Sequence, residues 1–324
     1  MIDVSAGGRS GGATPRLVAL FVIAIVVVAA CGGPSGSPSS SANPTTDKLA
    51  QILDRGTLVG YAELDYPPQS IRVEGATRAD PTKCLANQLT APEATGFDIE
   101  THKILAKELG VEPCFVSPQF SEVTAGNWGD RWDIAYASGA INATRMEHLW
   151  MTQPYYYIPQ VFLVPENSPA QVPSDLDGLT IGTCTSCTVE AYLEGTLVIP
   201  GVELIQKVKD PVIAGYETEF PGIDDLAVGE IDAFLTSEPV ARQAIAEGRP
   251  LRMLDDPAFS MYPSGFVDKG SGLSVRSFFD RVNEIINGAH ADGRMNALSV
   301  QWFETDYATA ASEFNLDVLE QEVE

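Results

Sequence analysis

Basic residues are scarce in this chain: 20 lysines and arginines stand against 44 aspartates and glutamates, a formal net charge of −24 over 324 residues. A surface so acidic repels phosphate backbones and anionic lipid, which argues against a nucleic-acid partner and otherwise fits solubility on an exposed cell surface. Histidine is scarcer still: His102, His148 and His290 are scattered without the spacing of a metal site, and neither a metal nor any other cofactor is implied. Long apolar runs are also missing. The longest, residues 17–30, has 14 residues, whereas a helix needs roughly 20 to cross a bilayer core, so a permanent transmembrane anchor is the weaker reading.

That short run instead fits a secretory signal. Arg9 and Arg16 precede it, and Val28-Ala29-Ala30-Cys31 follows in the pattern of a lipoprotein cleavage site. Lipidation of Cys31 with a diacylglycerol would supply two acyl chains, enough for stable anchoring to the cell membrane on its extracytoplasmic side. Residues 1–30 carry Asp3, Arg9 and Arg16, a net of +1, so the mature chain carries −24 minus +1, or −25. From residue 32 to 46 only Gly, Pro, Ser, Ala, Asn and Thr occur, the composition of a flexible tether.

Five cysteines become four once Cys31 is assigned to lipid, an even number in an oxidising compartment. Four cysteines allow three connectivities, of which Cys84 with Cys114 and Cys184 with Cys187 is preferred. Cys184-Thr185-Ser186-Cys187 shares its spacing with thioredoxin-type redox motifs, but nothing around it fits that fold.

Beyond the tether, apolar runs alternate with helical patterns, the signature of an α/β architecture. Residues 57–61 read as a strand leading into Tyr66-Pro67-Pro68, followed by a polar insert ending near Thr95. A helix starts at Gly96-Phe97-Asp98 and is stopped by Gly110. Strands follow at 114–116 and 134–137, with a short helix through Val123 between them. Further strands are expected at 179–182, 231–235 and 265–267, and helices at 189–193, 226–230, 239–247, 282–286 and 295–302. The acidic end after Tyr307 reads as a loose tail.

Six segments in order carry a resemblance: LAQILDRGTLVGYAELDYPP, GFDIETHKILAKELGVEPCFV, RWDIAYASGAINATRMEHLWMTQPYYY, DLDGLTIGTCTSCTVEAYLEG, LAVGEIDAFLTSEPVA and ADGRMNALSVQWF. In them the chain resembles the bacterial extracellular solute-binding proteins of the polar amino-acid group, family 3, over residues 49–307. The resemblance implies a periplasmic-binding-protein-like fold of two α/β lobes joined by two hinge strands. Lobe 1 would hold residues 49–160 and 262–307, lobe 2 residues 161–261, with residues 31–48 as lipidated cysteine and tether and 308–324 as tail. A small solute would sit in the interlobe cleft, and the loaded protein would dock as a monomer on the membrane permease of an ABC transporter.

Site residues follow from the same resemblance. Arg145, twelve residues after Asp133, corresponds to the family's clamp for a ligand carboxylate, a task suited to a guanidinium fork; surface pairing with Glu147 is the alternative. Tyr66 and Phe120 stand where the family places aromatic walls. Ser138, Gly139 and Asn142 follow the strand that supplies hydroxyls and amides. Ser186, Cys187 and Thr188 stand at the turn that caps a helix in lobe 2, where a helix N-terminus attracts an anion. At Ser237 relatives carry an aspartate that pairs with the ligand's α-ammonium. Serine cannot neutralise a buried cation, so either Glu238 moves in or the solute lacks the ammonium. Glu63, or Asp65 beside it, stands where relatives that take basic amino acids carry an acid.

Two other functions compete with solute capture. Some relatives on this fold have become dehydratases of cyclic prephenate-like acids, which need a proton donor in the cleft; turnover of prephenate or arogenate would reveal one. A sensor would need an output domain beyond the cleft domain, and the chain stops at Glu324, so it could only present ligand to a separate receptor. The expectation is therefore a binding protein and not an enzyme.

Overall fold

The structure, a computed structural model, describes residues 42–324. The expected signal segment, Cys31 and the tether up to residue 41 lie outside them. Among the described residues no helix is long and apolar enough to cross a membrane.

The expected α/β architecture consists of two sheets, each clothed by helices. The first runs in the order Leu89–Thr90, Glu112–Val116, Thr57–Tyr61, Ile134–Ala135, Ser264–Asp268, Leu149–Pro154. Glu112–Val116, Thr57–Tyr61 and Ile134–Ala135 run parallel. All five residues of Thr57–Tyr61 are buried, as in a strand covered on both faces. The helix Phe97–Leu109 buries Phe97, Leu105 and Ala106, and Gly110, at φ 70°, closes it in a left-handed conformation that suits glycine.

The second sheet runs Val212–Tyr216, Thr180–Cys184, Ala233–Ser237, Ile158–Pro165, Leu251–Met253, with Phe259–Met261 also pairing with Ile158–Pro165. Its helices Thr188–Leu193, Glu219–Val228 and Glu238–Ala246 each follow a strand. The chain crosses between the sheets twice. Residues 155–157 link Leu149–Pro154 to Ile158–Pro165, and residues 262–263 link Phe259–Met261 to Ser264–Asp268. The carboxyl ends of the parallel strands of both sheets face one cleft, the usual ligand position for open α/β sheets.

Three departures from expectation have physical causes. The polar insert, for which no element was expected, holds a small sheet of Asp65–Tyr66, Ser70–Arg72 and Ala94–Thr95, and the expected Cys84–Cys114 disulfide ties it to the strand Glu112–Val116. The strand Val212–Tyr216 was not expected, and the helix expected at 226–230 runs instead over Glu219–Val228. The strand lies at a sheet edge with Val212 and Gly215 exposed, and Pro221-Gly222 interrupts the helical periodicity. The acidic tail is packed, because its apolar residues point inward: Ala311, Leu319 and Val323 are buried. Gln153 Nε2 donates to the carbonyls of Ala311 and Phe314 at 3.2 and 3.3 Å, and the Glu324 carbonyl accepts from Val275 N at 2.8 Å.

Candidate functional site

The interlobe cleft is lined from the first lobe by Glu63, Tyr66, Phe120, Ala137, Ser138, Gly139 and Arg145. The opposite wall brings Gln160, the segment Cys184–Val189 except Ser186, the run Glu217-Thr218-Glu219, and Met261. The lobes touch across it. Arg145 Nη1 donates to Thr188 Oγ1 at 2.9 Å, Arg145 Nη2 donates to the Ser186 carbonyl at 3.3 Å, and the Tyr66 and Ser237 hydroxyls stand 3.4 Å apart.

Arg145 sits on the short helix Ala143–Met146. Its guanidinium also donates to the Ala140 carbonyl at 2.9 Å and lies over the Phe120 and Phe266 rings, 5.2 and 5.7 Å from their centroids. The residue is only 5% exposed, and burial lowers its pKa to about 10, so it remains a cation at neutral pH. Carbonyls, a hydroxyl and ring faces surround it. Among the described residues no carboxylate pairs with it, and Glu147 does not. A buried cation without an anion is costly, and this one faces a cleft.

The other expected residues divide. Tyr66, Phe120, Gly139, Cys187 and Thr188 line the cleft. A Cβ on Gly139 would stand 2.3 Å from the Phe266 ring, so the wall passes too close to that ring for any side chain. Ser138 lines the cleft, but its polar groups are committed behind it: Oγ donates to Asp98 Oδ2 at 2.8 Å and accepts from Tyr156 Oη, and the Ser138 amide donates to Tyr155 Oη at 2.8 Å. Asn142 is a helix cap, its Oδ1 accepting from Arg145 N at 2.8 Å; it orders the backbone of the arginine helix rather than facing the cleft. Glu63 lines the cleft while Asp65 is exposed, which separates those two candidates. Cys184 and Cys187 are joined in a disulfide beside the cleft.

Around Ser237 the structure corrects an expectation. Glu238, a candidate for restoring the missing charge, is bound to Arg242 on the first turns of the helix Glu238–Ala246 and does not line the cleft. Adjacent residues at a strand end point to different sides, and Glu238 takes the far one.

Sequence reasoning missed Gln160, Thr185, Met261 and above all Glu219. The signal for Glu219 was a threonine followed by an acid at a helix start, obscured because the helix was placed from residue 226. Glu219 is 7% exposed; Thr236 Oγ1 donates to its Oε2, and its Oε1 lies 3.6 Å from Cys184 Sγ. Burial, with Glu63 adding repulsion, raises its pKa to about 8. Burial likewise raises Glu63 and Asp98 to about 7 each. Among the described residues no group of His, Cys, Asp and Glu could hold a metal.

Comparisons with known proteins agree with this architecture. The bacterial extracellular solute-binding proteins, family 3, match residues 71–305. The L-cystine-binding protein TcyJ of Escherichia coli is 25% identical over 261 residues, 80% of this chain and 86% of that one. The ABC transporter arginine-binding protein 1 of Escherichia coli is 23% identical over 215 residues, 65% and 82% of the two chains. The crystal structure of the substrate binding protein of an amino acid ABC transporter superposes with a TM-score of 0.63 at 24% identity, covering 77% of this chain and 100% of that one, and speaks for the fold alone.

Proposed function

The chain belongs to the bacterial extracellular solute-binding proteins, family 3, and on that premise we propose that it captures a small carboxylate-bearing, amino-acid-like solute between its lobes and delivers it to the permease of an ABC transporter. A solute-binding role outside the cytoplasm is what the family does. The finer reading rests on one observation: the buried Arg145 guanidinium faces the cleft with no carboxylate of the described residues paired with it. A solute carboxylate would complete that site, with Tyr66 and Phe120 as apolar walls and with residues 155–157 and 262–263 as hinges. The relatives named above bind L-cystine and arginine, which supports an amino-acid-like solute. No cofactor enters this scheme, and the protein would act as a monomer held at the membrane by lipid on Cys31.

A thermal-shift screen of the purified chain against the twenty common L-amino acids, L-cystine and their des-amino carboxylic acids tests the reading. Stabilisation by at least one of these carboxylates is expected, since a ligand that binds only the folded state raises its melting temperature. Stabilisation by none would contradict it. The anchor has its own check: metabolic labelling with an alkynyl fatty acid should mark the chain and fail to mark Cys31→Ser.

A further inference from the structure

In the lobe-2 wall a single buried acid lacks a counter-ion. Glu219 begins the helix Glu219–Val228, lines the cleft, and receives a hydrogen bond from Thr236, the neighbour of Ser237 on the strand Ala233–Ser237. No lysine or arginine pairs with it among the described residues. Its carboxylate also lies close enough to the Tyr66 phenol to oppose the phenol's ionisation, and that same phenol is 3.4 Å from Ser237 Oγ. Glu219 and Ser237 are therefore both neighbours of the Tyr66 phenol, and of the two Glu219 lines the cleft.

We propose that Glu219 is the counter-ion for the α-ammonium of an amino-acid solute, reached from a helix start instead of from the strand end where Ser237 stands. This rests on the solute-binding reading above and names the chemical class the site takes: an α-amino acid, carboxylate on Arg145 and ammonium on Glu219. It departs from both earlier alternatives, because the charge is present without any movement of Glu238 and the solute keeps its ammonium. The chemistry is balanced by a proton. The free cleft holds Glu219 largely as the neutral acid, which a buried carboxyl without a cation prefers, and an arriving ammonium favours the carboxylate, so binding expels a proton. A structural alternative, in which Glu219 only ties Thr236 to the helix, would not require the residue to line the cleft.

Calorimetry on the purified chain decides between them, using the best-stabilising member of the amino-acid panel beside its own des-amino carboxylic acid. The wild type should bind the amino acid about 100-fold or more tightly than the des-amino acid, and Glu219→Gln should lose about that factor for the amino acid while holding the des-amino acid within about threefold. Glu238→Gln should keep the wild-type discrimination. Equal wild-type affinity for both compounds, unchanged amino-acid affinity in Glu219→Gln, a parallel loss of both compounds, or loss of discrimination in Glu238→Gln would each overturn the assignment while leaving carboxylate capture standing. Binding of neither compound class by the wild type would overturn the assignment together with the solute-binding reading.

Discussion

Arg145 is oriented by the Ala140 and Ser186 carbonyls and the Thr188 hydroxyl, partners that fix its direction without cancelling its charge. The buried acids of the two lobes behave in the opposite way. Glu63, Asp98 and Glu219 bind their protons more tightly in the folded chain, with pKa values raised to about 7, 7 and 8 by burial, than in the unfolded chain, where a carboxyl titrates near about 4. The folded state thus holds more protons between those values, and its stability falls as pH rises through them. His102, held neutral by burial down to about 4, adds no pH dependence above its ordinary 6.5. Scanning calorimetry of the unliganded chain should therefore give a melting temperature that declines from pH 6.5 to 8.5; a rise over that range would show that these carboxyls are ionised in the fold. At this scale the family resemblance pointed to Arg145, and the structure places that residue at the cleft. It did not reveal Glu219, because the helix start that brings it against Thr236 was read at residue 226.

Elements of regular periodicity were the most legible. The helix Phe97–Leu109, with glycines on both sides, and the strand Thr57–Tyr61 fall where the pattern puts them. The small sheet of the insert and the packing of the tail were not legible, because their order comes from tertiary ties rather than from periodicity, although the insert's disulfide was the pairing preferred from the sequence. For the insert the tie is the Cys84–Cys114 disulfide, spanning 30 residues, with Arg78 donating to the carbonyls of Cys84 and Leu85 at 2.7 and 2.8 Å. A cross-link over such a loop contributes about 3–4 kcal/mol in the chain-entropy account, so the double variant Cys84→Ser, Cys114→Ser should lower the urea-unfolding free energy by roughly that amount. No change would mean the insert is held without it. Removal of residues 308–324 should likewise lower the melting temperature by several degrees, since it uncovers the surface under Leu319 and Val323 and removes the acceptors of Gln153. An unaltered melting temperature would return the tail to the loose state its acidity suggests.

Across the whole molecule, two α/β lobes meet over a cleft whose opposite walls are joined by Arg145 to Thr188 and by Tyr66 to Ser237. The segments that link the two sheets are themselves supported. Tyr157 N donates to the Tyr307 carbonyl at 2.8 Å, and the Tyr262 ring packs on Tyr157 and Phe314 at centroid distances of 5.0 and 4.8 Å. Lobe closure in such a frame is a rotation about a few residues, and a solute carboxylate that reaches Arg145 would favour the closed form by its contacts there. The most direct test of that claim is isothermal titration of the best-stabilising amino acid into the wild type and into Arg145→Ala. The account predicts a loss of about 100-fold or more in affinity for a variant that keeps its fold. An Arg145→Ala chain that binds the same amino acid as tightly as the wild type would contradict it.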